Sequence, residues 1–390
     1  MSPGKPSRLV FVNRVFPPDG AATSRLLGDL VAALAKEREV LVVCSRTVMD
    51  DGRADPGHSV ARIPWGRRGA VSLLQRAARD AFFLLAAWLL LLVRLRRSDL
   101  VVAKSDPPML HWVVSLAARL RGCRHASWVQ DLYPEVAVAL GHLREQGPVH
   151  KILSAMQRNA ARGAFVNVAI SRPMARVLAA PVAVIENWAL NERAPQQGEV
   201  ASWRRELGFD KGFVVAHCGT LGRAHPLEPL RQLVERLRVE TGLSFLCSGG
   251  GHHYDRLATE FASVPECHFL PFQAEARLPE LLALADLHIV TLDPRLEAFI
   301  LPSKLMGILA AGRPVLYIGN PAGEVARLLE ASGAGIGCAA NDVEGMLQQI
   351  LSLSQDRARW QEMAMAAAQL YREKFSRERA IAQWKAVLPV

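Results

Sequence analysis

At 390 residues, with half of them apolar, 22% charged, 28 Gly and 23 Pro, the chain has the balance of folded globular protein and the length for two domains. That excludes a disordered, collagenous or low-complexity polymer. Lys and Arg outnumber Asp and Glu 47 to 37, a formal charge of +10 that favours a polyanionic partner: nucleic acid, an anionic membrane surface or a phosphorylated small molecule.

Short β-like runs alternate with helical patterns from the start. Residues 9–13 (LVFVN) read as a strand, 23–36 as a helix, and 40–45 and 100–103 as further strands. Such alternation predicts a parallel sheet with helices on both faces. The first apolar run, 9–12, is too short for the centre of a secretory leader, so export is not expected. Residues 81–93 (AFFLLAAWLLLLV) are unbroken apolar sequence between Arg67, Arg68, Arg76 and Arg79 on one side and Arg94, Arg96 and Arg97 on the other. As a helix they reach only ~20 Å, short of a ~30 Å hydrocarbon core, so a span is not expected. Two readings remain: a buried crossover helix, or an interfacial helix with its apolar side in lipid and its arginines at lipid phosphates. The basic flanks favour the second.

Further strands are expected at 126–129, 165–170 and 182–185, followed by a polar stretch, 191–200, with the composition of a linker. The alternation then restarts at 213–217, 244–247, 268–270, 287–292 and 315–318, which predicts a second doubly wound domain. In open parallel sheets ligands bind beyond the carboxyl ends of the strands, so two such sheets facing each other would hold a ligand in the cleft between them. Cys44, Cys123, Cys218, Cys247, Cys267 and Cys338 are scattered without C-x-x-C spacing and read as buried thiols of a reducing compartment. Aromatic residues are only 6%, and zinc-finger spacing, an RNP-like aromatic strand and a basic heptad region are missing, which sets nucleic acid aside.

Three loops place a cation where helix electrostatics discourage it. Arg25 falls in the first turn of the first helix, after Gly20-Ala21-Ala22. Arg223 follows Gly219-Thr220-Leu221-Gly222, just before a helix expected from Pro226. Lys304 follows Pro302-Ser303 and opens a helix carrying Leu305, Ile308 and Leu309. A cation at the positive end of a helix dipole costs about 0.3–1 kcal/mol, so its repetition asks for a compensating anion, which a phosphate would supply. Singly, each reads equally well as a solvated surface cation; together they point to a diphosphate. G-x-G-x-x-G and Walker A sequences are missing at these turns, which argues against dinucleotide oxidoreductases and P-loop NTPases.

The runs Asn13-Arg14-Val15-Phe16-Pro17-Pro18-Asp19, Lys104-Ser105-Asp106-Pro107-Pro108, Gln130-Asp131-Leu132-Tyr133-Pro134-Glu135, Glu186-Asn187-Trp188, Gly219-Thr220-Leu221-Gly222-Arg223-Ala224-His225 and Pro302-Ser303-Lys304-Leu305-Met306-Gly307 occur in this order. They resemble the family 4 glycosyltransferases of bacterial surface-polysaccharide assembly, most nearly the subgroup of colanic-acid and O-antigen fucosyl- or N-acetylfucosaminyl-type transferases. The resemblance implies the α/β GT-B architecture, two Rossmann-like doubly wound domains facing each other across a cleft. Residues 1–190 would bind the acceptor, with the C-terminal helix 376–390 a candidate to pack back on them, and 191–375 would bind the nucleotide sugar. It also implies retention of anomeric configuration without an obligatory metal. The sequence has no His/Cys/Asp cluster with metal-ligand spacing, and no cofactor is expected.

Carried across residue by residue, Arg223 and Lys304 match the basic pair that holds the donor diphosphate, where fixed cations stabilise charge on the leaving group. The other donor-side candidates are Gly219, Thr220, Gly222, His225, Gly249, Gly251, Ser303 and Glu324. Gly219 and Gly222 would let the backbone approach the phosphates, and His225 would touch one. Gly249-Gly250-Gly251 resembles a family turn near the nucleotide, although a tight strand-to-helix connection is the favoured reading. Glu297 aligns with the first acid of the family's paired-glutamate motif, near the transferred sugar; the plain alternative is a surface glutamate in a polar loop. The second glutamate, implied to bind the ribose hydroxyls, is missing. Gly307 stands there, or Leu305 at strict spacing, and Glu324 is the candidate substitute.

On the acceptor side Asp131 and Glu135 flank Pro134 where a strand meets a helix. Capping and function weigh equally for Asp131, and the family's preceding His is here Gln130, so no general base is assigned. Gly20, Ala21 and Arg25, with Lys104 and Asp106, are expected about the acceptor mouth. His217 reads as structural.

The expected partners are a nucleotide-diphosphate sugar, UDP ahead of GDP, a polyprenyl-diphosphate-linked sugar acceptor and a membrane surface met through 81–93, at the cytoplasmic face of the membrane. The alternatives are a GT-B sugar-nucleotide epimerase and a non-catalytic membrane-associated subunit.

Overall fold

The computed structural model describes residues 8–46, 57–64, 73–178, 180–209 and 212–388. The strands form two sheets in which every pairing is parallel. The first contains β1 (Arg8–Val12), β2 (Glu39–Ser45), β3 (Ser59–Ile63), β4 (Asp99–Lys104), β5 (Arg124–Val129), β6 (Val166–Ala169) and β7 (Val182–Val184), in the order β3-β2-β1-β4-β5-β6-β7. The second contains β8 (Phe213–Thr220), β9 (Leu243–Gly250), β10 (Cys267–Pro271), β11 (Leu287–Thr291), β12 (Val315–Gly319) and β13 (Gly335–Ala339), in the order β10-β9-β8-β11-β12-β13. Each sheet belongs to its own compact unit. The first unit runs to Asn187 and includes 298–301 and the segment from Glu378; the second comprises Trp188–Glu297 and Pro302–Arg377.

Central strands are near-continuous apolar runs because both faces of a parallel sheet are covered. All five residues of β1 and all six of β4 are buried. The one charged pair at the start of these strands is matched in register, with Arg8 opposite Asp99 and its Nη2 donating to Asp99 Oδ2 at 2.8 Å. Two strands were not expected from sequence, β3 and β13. Both are edge strands, β3 paired only to β2 and β13 only to β12, and both are only partly buried, so neither needs the apolar run that marks a central strand. The polar stretch 191–200 runs into a helix, Gln197–Glu206.

The helix Leu73–Arg94 crosses from β3 back to β4. Phe83, Ala87 and Leu91, spaced four apart, lie in the core of the first sheet with Val10, Val12 and Val101. On the rest of the helix Phe82, Leu85, Leu89 and Val93 are 52%, 57%, 51% and 78% exposed. The C-terminal helix Arg377–Val387 places Trp384 edge-on against Trp128 of β5, ring centroids 4.8 Å apart.

Each sheet has a switch point where the winding direction reverses, beside β1 and β4 in the first and beside β8 and β11 in the second. Chain emerging from the carboxyl ends of neighbouring strands diverges there and leaves a crevice.

Candidate active site

In the second unit β8 and β9 stay paired to their last residues, Gly219 with Gly249 and Thr220 with Gly250. Leu221 N donates to Gly250 O at 2.9 Å and His253 N to Leu221 O at 3.2 Å, so the loops leaving the two strands run backbone against backbone. Gly219, Gly249 and Gly251 have φ of 115°, 148° and 115°. A Cβ on Gly249 would land on the Gly219 carbonyl, and one on Gly251 would come within 2.9 Å of Leu221 O. Only glycine fits at these places. The Gly249–Gly251 run is thus a tight strand-to-helix connection, opening at once into the helix His252–Glu260. Gly222 differs, since its Cβ would meet Thr220 Cγ2 at an ordinary 3.7 Å.

Lys304 begins the helix Lys304–Ala310, and its head is turned onto the end of β8. Nζ donates to His217 Nε2 at 2.8 Å and to Thr220 O at 3.2 Å. Burial lowers its pKa to about 8, with Cys218 and Cys247 acting in the opposite sense, so the ammonium is charged at neutral pH. His217 is fully buried. Burial first, then Lys304, His225 and His288, hold its imidazole well below the usual range, so the ring is neutral.

His225 is committed elsewhere than the sequence suggests. Its Nδ1 lies 2.6 Å from Thr291 O at the end of β11, and burial, followed by the Lys304 charge, lowers it to about 4. The neutral ring donates to that carbonyl and ties the Arg223 loop to β11, as does Asp293 N donating to Ala224 O at 2.9 Å. Arg223 is exposed on this loop. After burial and the charges of His252 and Arg256, its own charge contributes to holding His253 below its usual range, so the end of β8 and β9 is cationic. Ser303 is exposed at the N-cap of the lysine's helix, and its hydroxyl makes no capping bond.

Glu297 is 9% exposed, not the surface glutamate of a polar loop. It follows the 3-10 turn Pro294–Leu296, and its carboxylate occupies the space where a side chain at Gly323 would lie. Oε1 has no hydrogen-bond partner among the described residues. Gly323 N-caps the helix Glu324–Ser332, an end that favours negative charge, and Glu324 stands half-buried in the first turn of that helix. Leu305 is fully buried and Gly307 carries no side chain, so neither position supplies the missing glutamate.

In the first unit the loops beyond β4 and β5 gather charge. Arg14 grips Asp106 with two bonds of 2.7 and 3.3 Å and reaches Asp80 Oδ1 at 2.9 Å. Asp131 follows β5; burial first, then the Asp106 charge, raise its pKa to about 6 against the pull of Lys104. Ser105 Oγ accepts from the backbone N–H of Gln130 at 2.9 Å and of Asp131 at 3.3 Å. Gln130 is locked in a reciprocal amide pair with Asn187, at 3.0 and 2.8 Å, and acts as a strut.

Lys104 departs from expectation. It is 2% exposed, its Nζ donating to Thr23 O at 2.6 Å and lying 4.1 Å from the Trp128 ring centre. At the last position of a central strand its stem is enclosed and a carbonyl of the first helix takes its head, so it braces the loops from beneath instead of lining an open mouth. Burial lowers it to about 7 against the opposing effects of Asp106 and Asp131. Arg25 folds back over the first loop, its Nη2 3.7 Å from where a Gly20 Cβ would stand, and Ala21 N donates to Asp19 Oδ1 at 2.9 Å. Glu135 opens the short helix Glu135–Ala139, with its carboxyl raised by burial.

No spacing in the sequence joins Arg14 to Asp80, which lie 66 positions apart. His217, read as structural, is buried in its strand as expected, and its contact with Lys304, 87 positions on, had no signal in the sequence. Among the described residues no group of three or more His, Cys, Asp and Glu side chains could hold a metal ion.

No family model matches the chain. It is 25% identical over 280 residues to WbjE of Pseudomonas aeruginosa, named as a glycosyltransferase, covering 69% of this chain and 70% of that protein. It is 26% identical over 227 residues to WcaI of Escherichia coli K12, named as a glycosyl transferase of colanic acid biosynthesis, covering 55% of this chain but only 56% of that protein. Among solved structures it matches Anabaena Alr3699/HepE in complex with UDP-glucose, with a TM-score of 0.72, 17% identity and coverage of 98% and 99% of the two chains. The chain thus has the GT-B fold and is similar in sequence to bacterial glycosyltransferases.

Proposed function

We propose that this chain transfers a sugar, with retention of configuration, from a nucleotide-diphosphate donor, UDP ahead of GDP, to a polyprenyl-diphosphate-linked glycan during surface-polysaccharide assembly. The carrying observation is the Lys304 ammonium hydrogen-bonded to the end of β8, where glycine-only turns bring backbone close and Arg223 adds a second cation. The names of the two relatives support the general activity, and the UDP-glucose of HepE supports the donor class.

As the glycosidic bond to phosphate breaks, negative charge grows on the leaving diphosphate, and two fixed cations stabilise it more than they stabilise the bound donor. The departing phosphate oxygen takes the acceptor hydroxyl's proton on the same face, so no separate base or metal is required. Glu297, buried with an unpartnered oxygen, accepts from a hydroxyl of the transferred sugar. Asp131 and Asp106 face the acceptor. The exposed stripe Phe82, Leu85, Leu89 and Val93, with Arg76, Arg94 and Arg97 exposed on and after the same helix, meets an anionic lipid surface. Arg67 and Arg68 lie outside the described residues, and among the described residues no helix is long and apolar enough to cross a membrane.

Calorimetric titration with UDP and GDP tests the donor site. Arg223→Ala and Lys304→Ala should each weaken binding by about 10- to 100-fold, the worth of one charge-assisted hydrogen bond. Wild-type protein that binds neither nucleotide, or variants that bind as well as wild type, would refute the assignment. Nucleoside diphosphate released only when donor and lipid-linked acceptor are both present supports transfer. A converted sugar nucleotide without lipid indicates an epimerase, and binding without turnover a non-catalytic subunit.

A further inference from the structure

Lysine is a poor holder of a diphosphate unless something fixes it. Its stem has four torsions to order, and partial burial lowers its proton affinity. Around Lys304 the ionisable groups are the thiols of Cys218 and Cys247, kept protonated by burial, and the neutral imidazoles of His217 and His225, with the neutral His288 acting on His217 from behind. None of these described groups is a carboxylate, so within this shell the ammonium's counter-charge is left to a ligand.

His217 is the group placed to fix it. An ammonium only donates, so at 2.8 Å the His217 Nε2 is the acceptor and the ring proton sits on Nδ1, which has no partner among the described residues. Of the three ammonium N–H groups one goes to Nε2 and one to Thr220 O at 3.2 Å, and one is left over. The imidazole is behind the lysine, fully buried in β8, and cannot itself touch a ligand.

We infer that His217 is a positioning residue, whose unprotonated Nε2 fixes the Lys304 ammonium against the end of β8 so that its remaining N–H meets a diphosphate oxygen. The inference rests on the donor-site reading proposed above. Without this acceptor the lysine would both wander and lose its proton more readily, because a buried N–H left unpaired disfavours the charged form.

The test is UDP binding by calorimetry from pH 6.5 to 9.5 on the full chain, wild type against His217→Phe, His217→Gln and Lys304→Ala. His217→Phe should weaken UDP binding about tenfold at pH 7.5, roughly the worth of one hydrogen bond to a charged group, and move the alkaline fall in affinity to lower pH. His217→Gln, whose amide oxygen reaches the place of Nε2, should restore both to near wild type, and Lys304→Ala should abolish the alkaline fall. His217→Phe with wild-type affinity and an unmoved alkaline limb would overturn the inference while leaving the donor site standing. Wild-type protein that binds neither UDP nor GDP would instead fell the donor-site reading on which it rests. Should His217→Phe fail to fold by circular dichroism, His217→Asn replaces it. Its shorter amide reaches only the place of Nδ1, so it should show the same loss, and Asn binding as well as Gln would overturn the inference.

Discussion

Asp131 is a side chain whose titration should show in stability below neutral pH. Its carboxyl is raised from 3.8 to about 6, first by burial and then by Asp106. Between those values the native protein holds a proton that the unfolded chain has released, so this group's contribution to stability falls as pH rises from about 4 to about 6. Asp131→Asn should flatten that fall and leave the protein more stable than wild type at pH 7, as urea unfolding across pH 4 to 7 would show; a variant less stable than wild type at pH 7 would contradict it. At this scale the sequence was unevenly legible. Lys304 stood out because a cation at a helix start conflicts with the dipole, a conflict visible in one dimension; Arg223 stood out with it, although it lies in the loop ahead of the helix Leu227–Leu237. Lys104 and Glu297 carried no such conflict, and what decides their roles, a Thr23 carbonyl and a Gly323 backbone, lies 81 and 26 positions away.

The helix Leu73–Arg94 is two surfaces on one rod. Phe83 faces the sheet and is fully buried, so Phe83→Ala should cost about 3–5 kcal/mol in unfolding free energy. Leu85 and Leu89 face away and are about half exposed. Replacing both with Ser should leave stability within about 1 kcal/mol but abolish co-sedimentation with vesicles containing anionic lipid. Retained sedimentation would remove the lipid surface from the proposal. Composition announced this helix, but its unbroken apolar run hid which stripe is covered, since periodicity needs polar residues to mark the other face. The strands followed the same logic. Central β1, β4 and β8 were readable as apolar runs, whereas edge strands β3 (SVARI) and β13 (GIGCA) carry charge or glycine and need only one neighbour.

For the molecule as a whole, the alternation of strand and helix was enough to give two doubly wound sheets, because a parallel strand must be followed by a crossover and the crossover leaves a periodic signature. What alternation cannot give is which distant stretches join which unit, and here the first unit collects three separate stretches of chain. Trp384 is fully buried, as is Leu388, and Trp128 beneath it is the ring on which the Lys104 head rests. The first unit is therefore finished only by the stretch from Glu378, far along the chain from the strands it covers. A growing chain must hold that hydrophobic seat open until Trp384 has been made, and a cut ahead of Glu378 would injure a unit whose sheet lies wholly before Asn187. Protein stopped after Ser376 should lose more than about 3 kcal/mol of unfolding free energy in that unit and show tryptophan emission shifted to the red; unchanged emission and stability would contradict this.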